Sequence, residues 1–488
     1  MQKAEHVEKQ SSNISTVDLD SDVSTDDEST QELHPDIGEP DFDLIDQLIT
    51  KRPNISDVAQ AANTVERDIG HAPLLAASIV TQYSKNLVPQ YGFLGSGNSR
   101  EKGTKVFQNT NVPFSTFICG VQGSGKSHTT ACMLENALIA SPHLGRLQAP
   151  VSALVFSYSE FSSGGSGFSV SEAAHLAAAN ETVAAHRVKK VTVLTSPSNL
   201  AIKKFYRAIP GVEVIPFKLK AKTMDIGTLL TLMAVNEKSE VPLYMAKVES
   251  ILRAIATESE DGRFDYDLFK QKLALENFDS KQTNVLDMRL GLLESFLDKE
   301  GNAPVPKYRP GEVTIIDLSD PFVSSNTACI LFKLGLERFM QSRAPGKMVV
   351  LDEAHKYMLN TPGPKVLTDY LTTLIRLQRH KGARVVISTQ EPTVSFDLIA
   401  LCSVTVVHRF TSPAWYAALK KHINAMNNEK DIMRQIEGLE TGEAMVYAPN
   451  AVLDMAEDGS LVKATGRLLR LNIRKRITRD GGESIMAV

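Results

Sequence analysis

Along the 488 residues, short apolar runs alternate with longer stretches in which apolar positions recur every three or four residues. The first pattern predicts buried strands and the second predicts helices. Strand-like runs fall at 114–119, 151–158, 191–195, 212–217, 312–318, 348–351, 383–388 and 404–410. Two more, at 443–447 and 467–477, complete the set. In the latter, Leu469, Leu471 and Ile473 alternate with Arg470, Asn472 and Arg474, one face apolar and one polar. Helical spacing marks 42–49, a segment starting near 53–56, and 71–87 with Pro73 in its first turn. It returns at 128–138, 171–188, 224–235, 244–257 and 328–339. Strands and helices alternating in this way predict an α/β fold.

The pattern also divides the chain. Residues 1–40 lack periodicity and aromatics, which predicts a disordered acidic tail. A helical extension is expected over 41–110, with 91–100 as a loop. The α/β domain spans 111–479, with a helical insertion at about 218–300 and a short tail at 480–488. Residues 162–171 are Gly- and Ser-rich and read as a flexible surface loop.

Three strand ends carry candidate chemistry. Residues 120–127 read GVQGSGKS, a G-x-x-x-x-G-K-[ST] loop between a predicted strand and a predicted helix. Gly120, Val121, Gln122, Gly123, Ser124, Gly125, Lys126, Ser127 and His128 form the candidate nucleotide-binding set. Backbone N–H groups and the helix N-terminus would face a polyphosphate. Lys126 would sit between the β- and γ-phosphates, and Ser127 would offer its hydroxyl to Mg²⁺.

The run Met348 to Leu351 ends in Asp352-Glu353. An acidic pair at that edge suits Asp352 on the Mg²⁺ side and Glu353 as the group that polarises water. The next strand ends in Thr389-Gln390, whose neutral amide can reach the γ-phosphate or the water. Arg376 and Arg379 precede that strand. Each fits either a solvated helix face or a finger reaching a neighbouring subunit's phosphates.

Composition changes the picture at two points. Residues 1–46 hold fourteen acidic side chains against Lys3 and Lys9, a net −12 that leaves the remainder at +8 of the total −4. A mildly basic body is compatible with a polyanion partner. From Lys463 to Arg479 there are seven basic residues and no acidic one. That stretch reads as a solvated sheet edge, a nucleic-acid contact, or a nuclear signal at Arg474-Lys475-Arg476. No stretch has the length and apolarity of a membrane span or a secretory signal. The cysteines Cys119, Cys132, Cys329 and Cys402 are scattered singly and suggest buried thiols in an intracellular, cytoplasmic or nuclear setting.

Five stretches together resemble the HerA/FtsK group of ring-forming, DNA-pumping ATPases, the HerA branch more than the FtsK branch. They are GVQGSGKS at 120–127, VTIIDLSDP at 313–321, VVLDEAHKYM at 349–358, LIRLQRHKGARVVISTQEP at 374–392 and GLETGEAMVY at 438–447. The likeness covers roughly 110–160 and 310–475. It implies a RecA-like P-loop fold, a mostly parallel central sheet between helices, that binds and hydrolyses ATP with Mg²⁺, assembled as a hexamer around double-stranded DNA. Carried over by position, it makes Lys126 and Ser127 the phosphate and Mg²⁺ residues, and Asp352 the metal-side acid. Glu353 becomes the catalytic carboxylate, Gln390 the sensor, Arg379 the trans finger and Arg376 the second choice for that role.

Two departures stand beside the likeness. The small β-barrel of HerA-type proteins has no counterpart in the acidic tail and helices expected here, and the helical insertion matches nothing in the family. A nucleotide-dependent assembly or switch protein without translocase activity is therefore the competing expectation. The letters DEAH at 352–355 also spell the DEAH-box helicase motif. That family's arginine-rich Q-x-x-G-R-x-x-R and S-A-T motifs are absent, so His355 is read as the first turn of the next helix.

Overall fold

The computed structural model describes residues 58–97, 104–159, 170–180, 186–220, 229, 243–258, 265–392, 394–428 and 431–481. The acidic tail, the helix at 42–49, the start of the one near 53–56, the helix at 224–235 (save position 229) and nearly all of the Gly/Ser loop lie outside them. The described residues fall within the compact unit Val58–Val488.

Eight parallel strands form the centre. They are β1 (Ser115–Cys119), β2 (Ser152–Ser157), β3 (Lys190–Thr195), β4 (Val212–Pro216), β5 (Glu312–Asp317), β6 (Lys347–Leu351), β7 (Ala383–Thr389) and β8 (Val404–Val407). Their order across the sheet is β8-β1-β7-β6-β2-β5-β3-β4. The strands β1, β6 and β7 are buried at every residue, because helices cover both faces and the runs are apolar throughout. The predicted α/β, mostly parallel architecture is the one observed.

Strand order matters for chemistry. Register pairs Cys119 with Thr389 and Leu351 with Ile387, so β1, β7 and β6 end side by side. The residues that follow those ends are Gly120, Gln390 and Asp352-Glu353. In an open parallel sheet, ligands bind at the carboxyl ends of the strands.

Beyond β8 the sheet continues as a wing through Glu443–Tyr447, Leu469–Ile473, Tyr91–Gly97, Lys105–Gln108, Leu74–Ala76, Val452–Met455 and Leu461–Lys463. This corrects the helical reading of the early segment. A helix spans Val58–His71 and another Ala77–Tyr83, but Leu74–Ala76 between them is a strand. All three of its residues are buried against Lys105–Gln108, and that pairing overrides the helical spacing.

Tyr91–Gly97, expected as a loop, is a strand between Lys105–Gln108 and Leu469–Ile473. Its glycines hid it. A Cβ at Gly95 would overlap the carbonyl of Asn472, so the missing side chain is what lets the two backbones meet.

The alanine-rich helix expected at 171–188 is one 3₁₀ stretch, Glu172–Ala177. It ends because Ala178 to Asn180 pair with the C-terminal segment: Arg479 N–H donates to Ala178 O, and Asn180 N–H donates to Ile477 O. The insertion is helical where described, with Leu243–Glu258, Tyr266–Ala274 and Ser280–Phe296. Asp265 caps the second of these helices. Asp279 and Gln282 form a capping box on the third. A short parallel pair, Leu219–Lys220 with Leu297–Asp298, closes its base. No helix among the described residues is long and apolar enough to cross a membrane.

Candidate phosphate-binding and catalytic site

The phosphate loop leaves β1 and enters α1 (Lys126–Leu138) through Gly125, which has a left-handed backbone and no capping side chain. The N–H groups of the first helical turn therefore lack helical partners and are presented to an anion. Gly120 has φ +154°, and a Cβ there would crowd His408 and the Ser124 hydroxyl. Ser124 Oγ donates to Val121 O at 2.7 Å, and Lys126 Nζ donates to the same carbonyl at 3.0 Å. The ammonium thus folds over the loop it would serve. Burial pulls the Lys126 pKa down, while Glu353 and Asp352 pull it back up. Gln122 and Gly123 are exposed at the loop's tip. The His128 ring turns away, with Nε2 2.8 Å from Arg474 O, so only its backbone remains toward a phosphate.

Ser127 and Asp352 share a narrow crevice with Thr130 and Glu172. Asp352 is 9% exposed, and its Oδ1 is buried without a hydrogen-bond partner. Burial, then the nearby charges of Glu353 and Glu172, push its pKa up to about 7. An orphaned carboxylate oxygen beside a serine hydroxyl suits a hard divalent cation. Among the described residues no group of three or more His, Cys, Asp or Glu could hold a metal. Magnesium would therefore need phosphate oxygens to complete its shell.

Glu353 is one of two non-glycine residues with positive φ among the described residues, at +48°. Its Oε2 accepts from Gln390 Nε2 at 2.9 Å and lies 3.5 Å from His355 Nε2 and 3.8 Å from Lys356 Nζ. The predicted carboxylate and the predicted sensor amide are thus brought together directly. His355, set aside in the sequence, stands in the same cluster.

The two arginines are placed differently. Arg376 ends the helix Pro362–Arg376, and Arg379 lies in the turn Gln378–Lys381 before β7. Both are exposed. A seven-residue strand, roughly 23 Å long, separates that end of β7 from Gln390. Neither arginine meets the phosphate loop of its own chain.

Sequence reasoning missed His408, which follows β8 directly behind the loop. Its Nδ1 lies 2.9 Å from Glu443 O, and its Nε2 is 2.9 Å from Thr129 Oγ1. Because a carbonyl can only accept, the proton sits on Nδ1 and Thr129 donates to Nε2. Burial lowers its pKa to about 4. The one available signal was a histidine closing an otherwise apolar run.

The reading of the basic C-terminal stretch is corrected at two of its seven basic positions. Arg474 and Arg476 have side chains 5% and 3% exposed, both withdrawn into carboxylate pairs. Arg474 donates to Glu135 at 2.6 Å and to Asn136, Cys132 O and Phe93 O. Arg476 bridges Glu172 and Asp480. Neither is free to meet a phosphate backbone.

Comparison with known proteins places part of the chain. Residues 341–465, which contain the acid pair and the sensor strand, match the family model described as helicase HerA-like C-terminal. No curated protein matches the chain. Among solved structures, VirB4 of Thermoanaerobacter pseudethanolicus is 11% identical, with TM-score 0.49, covering 79% of this chain and 97% of that one. The genome packaging NTPase B204 of Sulfolobus turreted icosahedral virus 2, in complex with ATP-gammaS, is 10% identical, with TM-score 0.27, covering 75% and 98%. The pCW3 conjugation coupling protein TcpA is 11% identical, with TM-score 0.27, covering 79% and 66%.

Proposed function

We propose that this chain, which matches the helicase HerA-like C-terminal model over residues 341–465, binds ATP with magnesium at the phosphate loop Gly120–Ser127, hydrolyses it, and couples hydrolysis to DNA as an oligomer. The observation that carries the reading is the meeting of three strand ends. The phosphate loop, Asp352 with its orphaned oxygen, and Glu353 against Gln390 all lie at one edge of the sheet.

Lys126 and the helix N-terminus would hold the phosphates. Ser127 and Asp352 would hold the cation, which screens phosphate charge when bound. Glu353 would take the proton of the attacking water, and Gln390 would fix the carboxylate's orientation. Arg379 would complete the site of a neighbouring copy, since its own loop lies beyond reach.

A nucleotide-dependent switch is the second reading. The withdrawal of Arg474 and Arg476 into ion pairs favours it, because it takes two of the seven basic residues of 463–479 away from any polyanion. Hydrolysis rates with and without double-stranded DNA, at low and high salt, separate the two. A DNA motor gives stimulation that fades as salt rises. DNA-indifferent hydrolysis keeps the ATPase and removes the motor.

A further inference from the structure

We infer that His355 is a positioning residue for the water-activating carboxylate, an inference that rests on the reading of Glu353 above. Its ring joins two elements. Nδ1 accepts the backbone N–H of Gln390 at 3.3 Å, and Nε2 faces Glu353 Oε2 at 3.5 Å. Gln390 Nε2 donates to that same oxygen at 2.9 Å. Gln390, His355 and Glu353 thus form a closed loop of contacts between the end of β7 and the turn after β6.

The tautomer follows from the partners. An Nδ1 that accepts an N–H carries no proton, so the neutral ring has its hydrogen on Nε2, toward the carboxylate. Burial favours that neutral ring. The imidazole therefore relays the position of the sensor strand's backbone onto the glutamate. A histidine that merely began a helix would have no cause to accept the Gln390 N–H on Nδ1 while turning Nε2 toward the carboxylate.

Glu353 needs such support. Its backbone is left-handed, a strained conformation for a non-glycine residue that the surroundings must hold in place. Its side chain rotates about three bonds, and a misplacement of about 1 Å at a reacting group can cost about a hundredfold in rate. Gln390 holds it through one flexible amide, and Lys356 Nζ, 3.8 Å from the same oxygen, through a long side chain. His355 sits in the tight turn Ala354–Lys356 with a side chain 17% exposed, so its ring is the stiffer restraint.

The test compares native protein, His355→Ala, His355→Gln, His355→Asn and Glu353→Gln for kcat, KM for ATP, and ATP-gammaS affinity. Gln at 355 keeps a donor at the reach of Nε2, whereas Asn keeps only the acceptor at the place of Nδ1. The inference predicts that His355→Ala loses about ten- to a hundredfold in kcat, with KM and affinity within about twofold. His355→Gln recovers most of that loss, and His355→Asn recovers less. Native kcat in His355→Ala overturns the inference. So does a loss shared equally by kcat and affinity, or one that Gln fails to relieve. Hydrolysis that survives Glu353→Gln overturns the reading of Glu353 itself and this inference with it. If Glu353→Gln is inactive while His355→Ala is native, only the role of His355 falls.

Discussion

The guanidinium of Arg474 lies 2.6 Å from the carboxylate of Glu135, both out of solvent, and this pair fastens the C-terminal strand to the phosphate-loop helix. Glu135 also accepts from the Thr478 hydroxyl at 2.6 Å and from the backbone of Ile477 and Thr478. Removing Arg474 takes the close counter-ion from a buried carboxylate and leaves it only Arg476, 3.9 Å away. Arg474→Met should destabilise the protein by about 3–5 kcal/mol, read from urea unfolding. Because the side chain is buried, DNA affinity per folded molecule should not change. Weakened DNA binding with unchanged stability would restore the nucleic-acid reading of that stretch.

His408 makes stability depend on pH. Its folded pKa lies at about 4, below the ordinary 6.5. The neutral ring stabilises the fold fully above pH 6.5, and this is lost as pH falls toward 4, where the unfolded chain alone binds the proton. The span corresponds to about 3 kcal/mol. Unfolding midpoints of native protein and His408→Gln, followed from pH 7.5 to 4.5, should converge as pH falls. Parallel curves would contradict the assignment.

Much of this site could be read in the sequence because each part closes an apolar run. GVQGSGKS, Asp352-Glu353 and Thr389-Gln390 each follow four or more buried residues, and parallel pairing brings such ends together. What could not be read depended on distant partners. Tyr91–Gly97 became a strand because glycines admit Asn472, and Leu74–Ala76 because Lys105–Gln108 lies beside it. Arg474 and Arg476 look like solvent cations until Glu135 and Glu172, more than three hundred positions earlier, are placed beside them. His355 was set aside because the motif it completes belongs to another family, whereas its role depends on Gln390, 35 residues later.

Asp352 sets stability against function. Its folded pKa of about 7 stands above the ordinary 3.8, so the buried carboxylate costs stability as pH rises from about 4 to 7. Without nucleotide, Asp352→Asn should be more stable than native at pH 8, by up to about 4 kcal/mol. Magnesium should then no longer strengthen ATP-gammaS binding in the variant. A less stable variant, or one in which magnesium still acts, would contradict this.

Arg379 tests assembly. If it serves a neighbour's site, Arg379→Ala and Lys126→Ala should each be inactive alone, while their mixture recovers hydrolysis at interfaces pairing two intact halves. Native activity in Arg379→Ala would return that arginine to the solvated helix face.

The most direct measurement is single-turnover ATP hydrolysis by native protein and Glu353→Gln, with ATP-gammaS affinity measured alongside. The account predicts that affinity stays within about twofold while the rate falls by a hundredfold or more, roughly what one positioned base supplies. Native turnover in Glu353→Gln would show that water is activated elsewhere, and the strand-end cluster would lose its catalytic meaning.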